Sequence, residues 1–352
     1  MHLFLDLLDR RKTPELVKRH FVRMYQALLS GQTGLIPWSE IEPLAPQDTV
    51  PLNSLKHDGN HLHDVAVLKL NGGLGTTMGC TGPKSLVEIK DGKNFLDYLI
   101  RQMGKTRSQL LLMNSPYTHA ETEAYLKGKI DHISFLQHEF PRIDAHTLGP
   151  CPDDWYPPGH GDLYWVLMTT DLLKKIKAKY LFISNVDNLG ATLEPRILNY
   201  MIDNNLDFVM EITAKTKLDV KGGTLIRHRD RLTLLERAQV EPAHISDFED
   251  ITYFPYFNTN TIWLNIESLK KQNNFELPVI VNRKNVKGKD IIQLETAMGA
   301  AIGVFSRSAA VIVDRDRFFP VKKMSDLEML QSDRVTEDSD GYFHWKNLTN
   351  GA

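Results

Sequence analysis

The chain has 352 residues, 42% of them hydrophobic, enough for a large core in one or two domains. Its 42 Lys+Arg nearly balance 44 Asp+Glu, for a formal net charge of -2, so no global positive field exists to hold nucleic acid and a charged ligand must be met by a local site. Two cysteines, Cys80 and Cys151, are too few for a disulfide framework or a thiolate zinc site.

Residues 1 to about 45 read as largely helical, with Val17, Phe21, Met24 and Leu28 on one face, Leu16 and Tyr25 widening it, and Gly31 as a stop signal. Met1 to Arg11 mixes apolar and charged residues, and no run approaches a membrane span, so a cytoplasmic protein without a membrane partner is expected. The Pro-rich stretch Ile41 to Leu55 reads as a connector. Strands are then expected at Val65–Leu70, Ser85–Ile89, Gln109–Asn114, Ile133–Gln137, Tyr180–Ser184, Asp207–Thr213 and Thr261–Ile266. Helices are expected at Phe95–Gly104, His119–Lys127, Asp162–Lys179, Glu194–Asn204 and Gln293–Phe305. Residues 217–240 look like an antiparallel insertion. The alternation is that of an α/β fold with a largely parallel, two-sided sheet, whose ligands lie at the carboxyl ends of strands. The domain expectation is a helical extension over 1–55, a catalytic domain over 56–330 and a short tail over 331–352.

The most informative run is Leu70-Asn71-Gly72-Gly73-Leu74-Gly75-Thr76-Thr77-Met78-Gly79-Cys80-Thr81-Gly82-Pro83-Lys84-Ser85, which follows directly on a strand. Glycines let the backbone approach a ligand and turn N–H groups inward, and a terminal lysine adds charge, so the run suits a phosphate cradle. It is not a P-loop, because Pro83 separates Gly82 from Lys84, and its G-G-x-G spacing is not a dinucleotide fingerprint. Cys80 reads as a small loop filler. Asp187, in Asn185-Val186-Asp187 after a strand, is either a turn residue or a ligand for metal and phosphate. Asp162 either caps the following helix or joins the site.

The glycine run resembles the signature loop of the UTP-glucose-1-phosphate uridylyltransferases, or UDP-glucose pyrophosphorylases, of the eukaryote-like type. Further segments resemble the same family in the same order: Phe135-Leu136-Gln137, Trp155 to Asp162, Ser184 to Thr192, Val220 to Leu225, Phe257 to Asn260, Gln293 to Ala297 and Phe319-Pro320-Val321-Lys322. The resemblance implies a Rossmann-like, glycosyltransferase-A-like nucleotidyltransferase fold, a mixed sheet flanked by helices with a helical N-terminal extension. Its relatives carry a C-terminal left-handed β-helix after the equivalent of Lys322, and that domain is expected to be missing here. Asn347-Leu348-Thr349 matches a glycosylation sequon and is expected to be silent.

The activity implied is the joining of UTP and glucose 1-phosphate into UDP-glucose and pyrophosphate, with Mg²⁺ as cofactor and Asp187 as its protein ligand. Lys84 and Lys322 are the implied catalytic charges, both on the phosphates. Leu70, Asn71, Gly72, Gly73, Met113, Gln137 and Gly159 match the family's uridine pocket, with Asp187 on the UTP phosphates. His160, Asn185, Gly223, Glu236, Asn258 and Asn260 match the sugar-phosphate side. Glu236 could instead be an exposed cross-strand partner, and Asn258 could only shape a turn. Two other functions share parts of this pattern. A UDP-N-acetylhexosamine or broad UDP-sugar pyrophosphorylase would keep the fold and the loop, although Gly159-His160-Gly161 and Asn258-Thr259-Asn260 fit the glucose type better. A non-catalytic nucleotide-sugar sensor would have no need of Lys84, Asp187 and Lys322 together.

Overall fold

The computed structural model describes residues 1–32, 34–57 and 61–346; the Asn347-Leu348-Thr349 sequon lies outside them. Its centre is an eight-stranded mixed sheet built from β1 (Thr49–Pro51), β2 (Val65–Asn71), β3 (Leu110–Asn114), β4 (His132–Leu136), β5 (Tyr180–Asn185), β6 (Phe208–Ala214), β7 (Tyr256–Asn265) and β8 (Ser308–Ile312). The strand order is β1-β8-β6-β7-β5-β2-β3-β4. β7 runs antiparallel to both neighbours, and the other neighbouring pairs are parallel. From β2 the chain proceeds outward through β3 and β4, then returns to β5 on the opposite side of β2. The order therefore reverses between β2 and β5, and their carboxyl ends open a crevice at the switch point.

Sequence dictates why β2 occupies the middle. Every residue of Val65–Asn71 is buried, and alternate side chains feed separate cores: Ala66, Leu68 and Leu70 on one face, Val65 and Val67 on the other. A strand covered on both faces reads as a continuous apolar run. The N-terminal helices His2–Arg10 and Glu15–Leu29 put Phe4, Leu8, Val17, Phe21 and Met24 into the first core. Helices Phe95–Met103 and Pro195–Asp203 cover the second with Leu96, Leu99, Ile197 and Met201.

Several elements differ from the sequence expectation. Ile41–Leu55 is more than a connector: Thr49–Pro51 becomes the edge strand β1, and Glu42–Pro43 pairs with the hairpin Thr224–His228/Arg231–Leu235, the expected insertion. Ser85–Ile89 is a 3₁₀ turn, Lys84–Leu86, followed by the short strand Glu88–Lys90. The helix expected over Asp162–Lys179 ends at Thr169, where the hydroxyls of Thr169 and Thr170 donate to the carbonyls of Trp165 and Val166 at 2.6 and 2.7 Å, and a separate turn, Leu172–Lys175, follows. The helix expected over Gln293–Phe305 is absent. Lys289–Glu295 is a strand in a second, antiparallel sheet with Ile280–Val286, Phe140–Asp144 and Pro150–Tyr156, and Met298–Gly303 is 3₁₀. Ile291, Ile292 and Leu294 form a short apolar run whose period does not separate strand from helix. Beyond Lys322, helix Met324–Gln331 and hairpin Val335–Glu337/Phe343–Trp345 pack on Tyr98 and Phe319.

Candidate functional site

Leu70, Met113 and Asn185 are in register at the carboxyl ends of β2, β3 and β5, and Gln137 follows the end of β4. They open onto a cleft of about 290 Å³, whose wall also includes Gly72, Gly73, Lys84, Pro157, Gly159, His160, Val186 and Asp187. Segments more than a hundred residues apart in the chain meet here through the strand order alone.

The glycine run folds back on itself. The Gly75 and Lys84 N–H groups donate to the carbonyls of Gly82 and Gly73 at 3.1 and 3.0 Å, and Leu74 bridges Pro83. This returns Lys84 to the strand end, where its ammonium pairs with the carboxylate of Asp187. Gly72 lets the loop pass close to Gln137: a Cβ there would lie 2.8 Å from its Oε1, so a side chain at this position would push the carboxamide aside. Asn71 does not bring its side chain to the cleft. Nδ2 donates to Asn114 Oδ1 at 2.8 Å and Thr122 Oγ1 at 2.9 Å, in a buried polar cluster beneath the loop.

The turn Pro157-Pro158-Gly159-His160-Gly161 docks on Thr296, exchanging hydrogen bonds with its backbone at 2.9 and 3.0 Å. Gly159 has φ 82°, and a Cβ would lie 2.6 Å from the Thr296 carbonyl, so no other residue fits. The ring of His160 accepts the Met298 N–H at Nδ1, 2.9 Å. Burial lowers its pKa to about 4, so near neutral pH the imidazole is uncharged and its proton is on Nε2. Asp162, 1% exposed, accepts the backbone N–H of His138 at 2.6 Å and contacts its ring at 2.8 Å. It fastens the Gln137 segment to this turn and stays out of the cleft wall.

The residues expected on the sugar side form a connected row leading away from Asn185. The Asn260 amide donates to Asn185 Oδ1 at 3.0 Å, Asn258 Oδ1 accepts the Asn260 N–H at 2.8 Å, and the Asn258 N–H donates to the Gly223 carbonyl at 2.8 Å. A β-bulge produces this row: β6 and β7 shift register between Glu211 and Ile212, leaving Thr259 and Asn260 outside the ladder, with Asn260 at φ 60°. Asn258 thus shapes the turn and also belongs to the row. Glu236 is not an exposed cross-strand partner; it is half-buried against Gly223, where a Cβ would meet its carboxyl at 2.8 Å. Burial raises its pKa, opposed by the charge of Lys322. Lys322 stands on this side, exposed, and is not part of the wall that Lys84 and Asp187 share.

Sequence reading missed the support beneath these loops. Glu211 is fully buried, accepts from Arg317 at 2.7 Å on both oxygens and from Trp263 Nε1 at 2.9 Å, and Arg317 also donates to the Thr192 carbonyl at 2.7 Å. Lys69, likewise buried, donates to Ser184 Oγ at 2.7 Å and the Ala191 carbonyl at 2.9 Å, spanning both ends of the Asp187 loop. The available signal was a charge in the middle of each apolar strand, in Leu68-Lys69-Leu70 and Met210-Glu211-Ile212.

Comparison with known proteins identifies the family to which this fold belongs. The enzyme named UTP–glucose-1-phosphate uridylyltransferase in Solanum tuberosum is 41% identical over 355 residues, covering 92% of this chain and 74% of its own. A protein named as a probable enzyme of that kind in Schizosaccharomyces pombe is 44% identical, covering 85% and 65%. The crystal structure of a single-residue mutant of Leishmania major UDP-glucose pyrophosphorylase in complex with UDP-glucose superposes with a TM-score of 0.92 at 35% identity, over 98% of this chain and 81% of that one. Residues 18–349 match the family described as UTP–glucose-1-phosphate uridylyltransferase. With a family match that spans most of the chain and relatives at this level of identity, the chain belongs to the UTP–glucose-1-phosphate uridylyltransferase family.

Proposed function

We propose that the cleft binds UTP and glucose 1-phosphate and joins them: an oxygen of the sugar phosphate forms a bond to the α-phosphorus of UTP, the bond from that phosphorus to the bridging oxygen breaks, and UDP-glucose and pyrophosphate leave. The observation that carries this reading is the Lys84–Asp187 pair at the switch point, with the glycine loop on one side and the asparagine row on the other. The attacking oxygen is already anionic near neutral pH, so no activated serine, cysteine or general base is required. The site has to align two polyanions and stabilise charge at the transferring phosphoryl group.

In this reading Gln137, Gly159, Met113 and the backbone from Leu70 to Gly73 take the uracil, whose imide and carbonyl groups need complementary donors and acceptors. Neutral His160 donates from Nε2 to the sugar phosphate. Asn185, Gly223, Glu236, Asn258 and Asn260 take the glucose hydroxyls. Lys84 meets the UTP phosphates from the loop, and Lys322 from the Glu236 side.

The chemistry of the donor set fits Mg²⁺, which needs only one or two protein carboxylates when phosphates and water complete its shell. Among the described residues no group of three or more His, Cys, Asp or Glu is arranged to hold a metal, and Asp187 is the carboxylate in the cleft wall. Asp187 would hold the ion, and when bound the ion would neutralise phosphate charge.

Incubation of the purified chain with UTP, Mg²⁺ and a panel of sugar 1-phosphates tests the proposal. Pyrophosphate release with glucose 1-phosphate above all others is expected. Preference for N-acetylhexosamine 1-phosphates would reassign the sugar, and nucleotide-sugar binding without turnover would make the protein a sensor.

A further inference from the structure

Asp187 and Lys322 lie on segments more than a hundred residues apart in the chain, and the side chain of Asn188 ties those segments together beside the cleft. Asn188, 2% exposed, follows Asp187 but lies outside the cleft wall, which Val186 and Asp187 help to form. Its Oδ1 accepts the backbone N–H of Phe319 at 2.8 Å, and its Nδ2 donates to the backbone carbonyl of Arg317 at 3.3 Å. Its backbone makes an isolated antiparallel bridge with Pro320. Pro320 lacks an N–H, so the Phe319–Lys322 segment cannot complete a strand ladder against the Asp187 loop. The Asn188 carboxamide gives this segment one donor and one acceptor in place of the missing rungs, while its Oδ1 also accepts the Gly190 N–H at 3.3 Å.

Both ends of this clasp are fixed from below. The Arg317 guanidinium is held by buried Glu211 and by the Thr192 carbonyl at the far end of the Asp187 loop. Phe319 is buried and its ring stacks on Trp345 with centroids 4.9 Å apart, and Val321 is fully buried. Arg317, Phe319 and Val321 thus anchor the segment that carries Lys322, whose own N–H donates to Asp326 at 2.8 Å, and the Asn188 clasp ties that anchored segment to the Asp187 loop.

We propose that Asn188 is a positioning residue for the transfer reaction: its carboxamide clasp on the Arg317 carbonyl and the Phe319 N–H sets the place of Lys322 relative to Asp187. The inference rests on the reading of Lys322 as a charge acting on the transferring phosphoryl group. Asn188 touches no substrate and acts through Lys322.

A double-mutant cycle tests it by steady-state pyrophosphate release. Asn188→Ala is expected to lower kcat about tenfold or more while KM for UTP moves less than about threefold, because a displaced Lys322 loses transition-state contact without emptying the cleft. In a Lys322→Ala background the same substitution should lower kcat by less than about twofold, since a residue acting through another has nothing left to position. The isosteric Asn188→Asp keeps the acceptor for the Phe319 N–H and loses the donor to the Arg317 carbonyl. It gives an intermediate loss that also vanishes in the Lys322→Ala background, and it covers the case in which Asn188→Ala does not fold. Multiplying losses in the two backgrounds would overturn the positioning role and leave the uridylyl-transfer reading intact. Unchanged kcat in Lys322→Ala alone would overturn the premise about Lys322, and no pyrophosphate from the unmodified chain would overturn the function itself.

Discussion

Lys84 and Asp187, 103 residues apart in sequence, form an ion pair in the wall of the cleft, the lysine delivered by the returning glycine loop and the carboxylate from just beyond the end of β5. Both side chains are mostly buried, 15% and 13% exposed. Each thus has its charge partner in place before any polyphosphate arrives, which reduces the cost of holding both charges in a partly desolvated crevice.

Replacing Asp187 by Asn removes the carboxylate while keeping its shape. Activity is expected to be lost on chelation and restored by Mg²⁺, with the variant needing more metal than the unmodified chain because a neutral amide is a poorer ligand for a hard cation. Metal titrations of initial rate check this; superimposable curves would leave Asp187 only as the partner of Lys84.

For Lys322→Ala the expected effect is on turnover rather than on UTP affinity. Loss of one charge contact made mainly in the transition state is worth on the order of 3 kcal/mol, about a hundredfold in kcat. Comparing kcat with a directly measured UTP dissociation constant separates the two effects, and a fall confined to affinity would place Lys322 in ground-state binding.

His20 supplies a test of stability. It lies in helix Glu15–Leu29, stacked on Trp165 at 3.6 Å, with both ring nitrogens buried and without a hydrogen-bond partner. Burial, with smaller contributions from the charges of Arg23 and His138, lowers its pKa from 6.5 to about 3. Because the folded pKa is depressed, the unfolded chain binds a proton that the native state refuses. The stability concerned is fully present above pH 6.5 and is lost as pH falls from there toward about 3, by up to about 1.4 kcal/mol per unit. His20→Leu is expected to flatten this acid limb. Urea midpoints at about pH 7.5, 5.5 and 4.5, one above that window and two inside it, measure it, and parallel pH dependences for the two proteins would show that His20 does not set the slope.

What was legible beforehand follows from how local each signal is. The central strands could be read because each is a short apolar run with its motif at the carboxyl end, and that end is where a parallel sheet places ligands. Gly159 and Gly72 could be placed in the site, but what a side chain would meet there, the Thr296 backbone at Gly159 and the Gln137 carboxamide at Gly72, comes from other segments. The bulge that aims Asn260 at Asn185 depends on a register shift between β6 and β7, and nothing within Asn258-Thr259-Asn260 alone specifies it. Gln293–Phe305 was misread because partner strands, not its own periodicity, decide its conformation. The buried charges Lys69, Glu211 and Arg317 become interpretable only when their partners, more than a hundred residues away, are in view.

The most direct test of the base pocket uses two residues in contact. Uracil should be selected against purines by size, and against cytosine by hydrogen bonding, because cytosine carries an amino group in place of one carbonyl and lacks the imide N–H. Each buried polar group left unpaired costs about 1 to 3 kcal/mol, so two mismatches give a preference on the order of a hundredfold or more. Gln137→Ala removes the side chain proposed to read that edge and should reduce the ratio of kcat/KM for UTP over CTP. Gly72→Ala leaves Gln137 in place but adds a Cβ at 2.8 Å from its Oε1, which displaces the carboxamide, so the same ratio should fall. The glucose 1-phosphate KM should change little in either variant, since Asn185 and the asparagine row are untouched. Equal use of all four nucleotides by the unmodified enzyme would end the uracil reading. A ratio that falls in Gly72→Ala but not in Gln137→Ala would assign base choice to the glycine-loop backbone instead.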